Sequence, residues 1–105
     1  MSESEWLACC EPDLLLEEVE GKVSREQLVE FVRQCWERVT PYLPTVRSEY
    51  TVVEQFAALA GRQSDHDAVL YASEAALKAA RWVPNFKEEK RQQAALLRQI
   101  VGRPS

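Results

Sequence analysis

The chain has 105 residues, of which 46% are apolar, and this is enough for one domain with a single modest core. The sequence has no apolar run long enough to cross a membrane, and it lacks the basic start and long apolar stretch of a secretory signal. We therefore expect a cytoplasmic protein without membrane contact, cofactor or bound metal, in which the three cysteines stay reduced.

Charge is unevenly distributed along the chain. The net charge is −4, but residues 1–20 carry seven carboxylates and no basic side chain. From Lys78 onward there are seven basic and two acidic side chains, a net charge of +5. Because the ends of a short chain lie close together in a compact fold, we expect the two segments to neutralise each other. The alternative is that each segment binds a separate partner.

Two short helices are predicted before residue 22. Ser2 and Glu5 match a capping box that opens the first helix, and Pro12 ends it because the residue before a proline disfavours helical dihedral angles. The side chains of this helix expected to face the core are Trp6, Leu7 and one of Cys9 and Cys10. Asp13 is the expected N-cap of the second helix, which ends at Gly21.

The third predicted helix has the clearest amphipathic pattern. Ser24 and Gln27 match a second capping box. Behind it, apolar residues recur at spacings of three and four: Leu28, Phe31, Val32, Cys35, Trp36 and Val39. Pro41 and Pro44 prevent the helix from continuing.

Three further helices are predicted in the second half. The fourth begins near residues 45–48 and ends at Gly61, with an apolar stripe of Val52, Val53, Phe56, Leu59 and Ala60. The fifth begins at the cap Ser64 and ends at Pro84, with an inward face of Ala68, Tyr71, Ala72, Ala75, Ala76, Ala79 and Trp82. The sixth begins at Asn85 and ends at Gly102, with Phe86, Ala94, Leu97, Ile100 and Val101 facing inward.

These elements predict an all-α fold. No segment shows the sustained two-residue alternation of a strand, and no linker or repeat divides the chain. We expect a compact single-domain helical bundle over residues 1–105, with about four main helices plus two short N-terminal helices. Short connections predict that successive helices pack antiparallel.

The thiols and the only histidine do not form a catalytic or metal-binding pattern. Cys9 and Cys10 are adjacent, so on a helix they point about 100° apart and do not grip one ion together. His66 is expected at the surface in the first turn of the fifth helix, and Cys35 in the core. Phosphate-binding, dinucleotide and serine-hydrolase motifs are missing from the sequence. We therefore predict that the protein is not an enzyme.

The basic last helix is the candidate interaction surface, and its residues are Lys87, Lys90, Arg91 and Arg98. The acidic N-terminal segment is the other candidate contact. The function we predict is a small non-catalytic protein–protein interaction module or adaptor, whose partner is another protein. The alternative is a nucleic-acid-binding regulator that uses the basic helix, which the overall acidity disfavours.

Four segments, read in order, carry a family resemblance: "EWLACCEP", "LLEEVEGKVSREQLVEFVRQCWERV", "VVEQFAALAG" and "QAALLRQIVGRPS". The chain resembles a paralogous family of uncharacterised small α-helical bacterial proteins of planctomycete type. The resemblance implies a helical unit and no particular activity. In that family a cysteine usually matches Cys9, a hydroxyl residue matches Cys10, and the chains continue past the glycine–proline ending. We expect this chain to be a free-standing form of a unit joined elsewhere to other segments, as interaction modules often are.

Overall fold

The computed structural model describes residues 2–43, 53–56, 58, 62 and 64–102, and all regular structure within these ranges is helical. The α-helices are α1 (Glu3–Ala8), α2 (Pro12–Glu18), α3 (Arg25–Val39), α4 (Asp65–Ala80) and α5 (Phe86–Val101). A 3-10 turn, Thr40–Tyr42, follows α3. The radius of gyration of 13.0 Å is that of a compact chain of this length, about 13 Å. The prediction of an all-α bundle is confirmed.

Local capping residues set where most of the helices begin. A side-chain oxygen accepts the backbone N–H three residues further on at each of four positions: Ser2, Ser24, Ser64 and Asn85. At α3 the box is reciprocal, because the Gln27 side chain accepts the backbone N–H of Ser24 at 2.9 Å. These four starts agree with the sequence prediction.

The start of α2 differs from the prediction. The N-cap is Glu11, which makes no side-chain capping bond, and Asp13 lies within the first turn. Pro12 takes the first helical position because its missing N–H and fixed φ suit that place. The helix also ends earlier than the predicted stop at Gly21, since its last residue is Glu18 and its C-cap is Val19. Gly21 does take the left-handed conformation expected of it, with a φ of +81°, which lets the chain turn toward α3.

Helices α3 and α4 run parallel. Near their first residues, Arg25 Nη1 lies 2.6 Å from Asp65 Oδ1. Further along both helices, the indole N–H of Trp36 donates to the backbone carbonyl of Ala75 at 3.1 Å. Because further helical residues, 53–56 and 58, lie between α3 and α4 in the chain, this arrangement is compatible with antiparallel packing of helices that follow each other directly.

Helix α5 runs antiparallel to both of its long neighbours. The side chain of Gln27, near the start of α3, donates to the carbonyl of Ile100 near the end of α5 at 3.2 Å. Gln93 in the middle of α5 donates to the carbonyl of Ala76 in the last turns of α4 at 2.8 Å. The antiparallel prediction therefore holds for α4 and α5, which a short turn connects.

The core is centred on α3, whose predicted apolar stripe is buried at all six positions. Helix α2 adds Leu15 and Leu16, and α1 adds Trp6, which is only 1% exposed. The prediction that Leu7 faces inward is wrong, since 54% of its surface is exposed. A six-residue helix presents one narrow face to the core, and Leu7 lies about 100° around the helix from Trp6.

The inward faces of α4 and α5 are only partly as predicted. The five alanines named for α4 are buried, but Tyr71 and Trp82 are 48% and 42% exposed. Tyr71 lies at the edge of the alanine face, and Trp82 follows the end of the helix at Ala80. On α5, Ala94 and Leu97 are buried, while three predicted residues are only partly buried: Phe86, Ile100 and Val101.

The fourth predicted helix falls mainly outside the described residues. Residues 53–56 and 58 are helical, in agreement with its middle, and Phe56 is buried against the core with Val53 partly buried. The predicted start at residues 45–48 and the end at Gly61 lie in the part of the chain that the structure does not describe.

Candidate functional site

The four basic residues predicted as an interaction surface divide into two pairs. Lys87 and Arg91 are exposed on the outside of α5. Arg91 Nη1 lies 3.6 Å from a carboxylate oxygen of Glu88, one turn away, and Lys87 has no charged partner among the described residues. These two side chains remain available to a partner.

Lys90 and Arg98 instead hold the N-terminal segment. The ammonium group of Lys90 pairs with Glu11 and lies 5.5 Å from the centre of the Phe86 ring. Arg98 Nη1 donates to the carbonyl of Cys9 at 2.7 Å and, at 3.3 Å, to that of Trp6. These carbonyls lie at the C-terminal end of α1, where a cation also offsets the negative end of the helix dipole. One ion pair, Lys90 with Glu11, therefore joins the acidic and basic ends of the chain as the charge pattern predicts, whereas Arg98 bonds to backbone carbonyls.

An ion pair between the exposed Arg38 and the buried Glu89 joins α3 to α5. The guanidinium of Arg38 donates twice to the carboxylate of Glu89, at 2.8 and 3.2 Å, and Glu89 is only 7% exposed. The hydrogen bond to Glu89 raises the pKa of Arg38 above its ordinary value. A buried carboxylate is stable only when it is paired in this way. This pair is not evident from the sequence, because neither residue lies on an apolar stripe.

The cysteines have three different environments. Cys35 is fully buried, and burial, with a smaller effect of the Glu89 charge, raises the pKa of its thiol far above the ordinary value. Such a thiol stays protonated and is a poor nucleophile. Cys9 is partly buried, with its Sγ 3.5 Å from the carbonyl of Glu11, and Cys10 is exposed. One inward and one outward cysteine agrees with the prediction for the end of α1.

His66 is an exposed first-turn residue, as predicted. Its Nδ1 lies 2.8 Å from a carboxylate oxygen of Glu20, so it ties the start of α4 to the segment after α2. Within the described ranges no three histidine, cysteine, aspartate or glutamate side chains lie close enough together to hold a metal ion.

The outer face of α4 carries apolar side chains that were predicted to face inward, as for Tyr71 and Trp82, or for which no prediction was made, as for Leu70. Six large apolar residues of the described chain are at least two-fifths exposed, and three of them lie on α4 or directly after it: Leu70, Tyr71 and Trp82. These residues face outward because the alanines form the side of α4 that packs on α3 and α5.

Trp82 forms part of an open cleft of about 480 Å³ at the C-terminal end of α4. Its walls are two indoles and two basic side chains: Trp36, Lys78, Arg81 and Trp82. Trp36 is 3% exposed and forms the fixed side of the cleft, since its N–H is already bonded to Ala75. Lys78 and Arg81 have no acidic partner among the residues that the structure describes. We call these four residues the tryptophan cleft.

Comparison with known proteins gives no relative. No family model, no curated protein sequence and no solved structure matches the chain significantly. The resemblance to the planctomycete-type family therefore stays a prediction. In the described part of the chain, the helices are too short or too polar to cross a bilayer.

Proposed function

We propose that this protein is a non-catalytic module that binds another protein through the outer face of α4 and the tryptophan cleft. The observation that carries the proposal is the half-exposed indole of Trp82, which lies beside two basic side chains that have no acidic partner within the described residues. Tyr71 lies on the same side of α4 and extends this surface toward the N-terminal end of the helix.

The residue types of this surface are those on which protein interfaces depend. Tryptophan, tyrosine and arginine are enriched among residues that dominate binding energy, because each buries a large rigid surface and retains a polar group. Lys78 lies in the last turn of α4 and Arg81 at its C-cap, where a cation offsets the helix dipole by about 0.3–1 kcal/mol. This effect explains the two cations, but it does not explain the exposed indole of Trp82 beside them.

The charges of the cleft indicate what kind of partner it prefers. The two cations, Lys78 and Arg81, attract a segment that carries carboxylates, and such complementarity raises the association rate and selects against basic partners. An acidic segment with an apolar or aromatic side chain suits the cleft best. We also propose that the protein and this partner meet in the cytoplasm.

The nucleic-acid alternative receives less support. Of the four basic residues predicted on α5, Lys90 and Arg98 are engaged with the N-terminal segment, which leaves Lys87 and Arg91 for phosphate contacts. Binding to a phosphate backbone usually requires a broader stripe of free cations. The net charge of −4 opposes it further.

Photo-crosslinking in the host cell tests the proposal. Benzoylphenylalanine is introduced at Tyr71 and, as a control of equal exposure class, at Arg91. We expect a discrete protein adduct from position 71, which Trp82→Ala or Arg81→Glu reduces at least about five-fold because a contact worth roughly 1 kcal/mol is lost. The matched charge reversal Lys87→Glu leaves the adduct unchanged.

Two outcomes reject the proposal. One is an adduct that forms from position 91 and not from position 71. The other is crosslinking to nucleic acid that Lys87→Glu abolishes. Reversal of all four predicted basic residues is unsuitable as a test, because Lys90 and Arg98 stabilise the fold itself.

A further inference from the structure

The outer face of α4 is exposed along the whole helix and carries both apolar and charged side chains. Its positions recur at spacings of three and four, so they lie within about 100° of one another around the helix axis. All of them are exposed: Asp67, Leu70, Tyr71, Glu74, Lys78 and Arg81. Trp82 continues the face directly after the helix. Large apolar side chains clustered in this way are typical of an interaction surface.

The charges of this face are separated along the helix. The carboxylates of Asp67 and Glu74 come first, and the cations of Lys78 and Arg81 follow. Glu74 and Lys78 are four residues apart but form no ion pair, and neither carboxylate has a basic partner among the described residues. If a second copy of α4 packs antiparallel on the first, the acidic part of each helix lies against the basic part of the other. The face is therefore complementary in charge to itself.

One antiparallel register matches these charges in detail. With Glu74 opposite Lys78 of the second copy, an ion pair forms near the centre of the contact. Three residues back along one helix correspond to three residues forward along its antiparallel neighbour, so Tyr71 then lies opposite Arg81 of the second copy. A guanidinium against an aromatic ring adds a cation–π interaction.

The same register also covers the exposed apolar side chains. Leu70 lies opposite Trp82 of the second copy, so an exposed aliphatic side chain and an exposed indole bury each other. Because the arrangement has two-fold symmetry, every contact occurs twice. A register centred on Glu74 would place two carboxylates against each other, and parallel packing would oppose like charges along the whole face. Like charges in contact select against both arrangements.

We propose that the partner bound by the outer face of α4 and the tryptophan cleft is a second copy of this chain, packed antiparallel through α4. The inference rests on the proposed function, because it names the occupant of the same surface. The first part of α4 is itself an acidic segment with apolar and aromatic side chains, which is the kind of segment that suits the cleft. One helix of 16 residues from each copy makes a small interface, below about 1,200 Å², so the Kd of the dimer is on the order of 100 μM.

Sedimentation equilibrium of the purified chain tests the inference. Between about 10 μM and 1 mM, the average mass should rise from 12.0 kDa toward twice that value. Glu74→Lys and Lys78→Glu each place like charges at both symmetry-related contacts, so each variant alone should associate at least about ten-fold more weakly. An equimolar mixture of the two variants should associate as well as the unchanged chain, because each reversed side chain then meets an opposite charge.

Two matched variants serve as controls. Glu17→Lys and Lys87→Glu reverse equal charges at exposed positions of α2 and α5, and both should leave self-association unchanged. Trp82→Ala should weaken it at least about ten-fold, since an interface tryptophan is lost. Restoration in the mixture also excludes misfolding as the reason for a weak single variant, because a misfolded chain would not be rescued by its counterpart.

The outcomes distinguish this inference from the proposed function. If the purified chain stays at 12.0 kDa up to about 1 mM, or if the mixture associates no better than either variant alone, the second copy is rejected. A cellular adduct from position 71 that contains a different protein would then leave the proposed function standing. An adduct of twice the mass of the chain supports the second copy as the partner.

Discussion

Replacement of Arg98 by alanine should release the C-terminal end of α1 from α5. The guanidinium makes a short bond of 2.7 Å to the carbonyl of Cys9 and a longer one of 3.3 Å to that of Trp6. A hydrogen bond from a charged donor contributes about 1.5–3 kcal/mol, and the longer bond adds little. Because the site is partly exposed, we expect the free energy of unfolding to fall by about 2 kcal/mol.

Thermal and urea unfolding followed by circular dichroism measure this loss. For a chain of about 100 residues, 2 kcal/mol corresponds to a decrease in Tm of about 8–16 °C. Arg91→Ala is the matched control, because it removes the same charge from the exposed side of the same helix, and it should cost less than about 0.5 kcal/mol. Arg98→Lys should lose about half as much as Arg98→Ala, since lysine keeps the charge but lacks the planar fork. Equal losses for Arg98→Ala and Arg91→Ala would refute this account of the N-terminal segment.

Three further predictions concern the core, a turn and the thiols. Trp6→Ala should lower the free energy of unfolding by about 3–5 kcal/mol, whereas Leu7→Ala should lower it by less than about 0.5 kcal/mol. Urea unfolding measures both values, and a similar loss for the two variants would contradict the burial pattern. Gly21→Ala should lower the free energy of unfolding by about 1–2 kcal/mol, because an L-residue is strained at a φ of +81° even though its Cβ would have room. An unchanged Tm would contradict this prediction. With iodoacetamide at neutral pH, Cys10 should be alkylated in the folded protein and Cys35 only in urea, as mass spectrometry shows; early modification of Cys35 contradicts its burial.

The features that the sequence predicted correctly depend on nearby residues. Helix starts at Ser24, Ser64 and Asn85 follow from side chains that reach an N–H three residues away, and this geometry does not depend on the rest of the fold. The stripe of α3 is equally local, because spacings of three and four place its six apolar residues on one side of the helix.

The features that the sequence did not predict depend on how the helices pack. Glu89 and Gln93 are not among the residues predicted to face inward, yet both are buried, and their side chains bond to Arg38 and to the carbonyl of Ala76 across helix interfaces. Spacing alone places Tyr71 in the core, but it lies at the edge of the alanine face and is 48% exposed. Periodicity identifies one face of a helix but does not show which edge of that face a neighbour covers.

For the candidate site, too, the sequence predicts some features and not those that depend on how the helices pack. The charge asymmetry of the chain predicted contacts between its two ends, and one ion pair, Lys90 with Glu11, is of that kind; the bond from Arg98 to the carbonyl of Cys9 could not be predicted from charge. The tryptophan cleft brings together residues 36 and 82, which only the parallel packing of α3 and α4 places side by side. Only the structure shows that Trp82 is exposed whereas the other two tryptophans are buried.

Chemical-shift mapping tests the proposed function most directly. The protein crosslinked through position 71 is purified and added to the ¹⁵N-labelled chain, and the shifts of backbone amides are followed. The account predicts that the largest changes lie at Tyr71, at residues 78–83 and at the indole N–H of Trp82, with little change at Lys87 and Arg91. Changes centred on Lys87 and Arg91, with Trp82 unaffected, would contradict it.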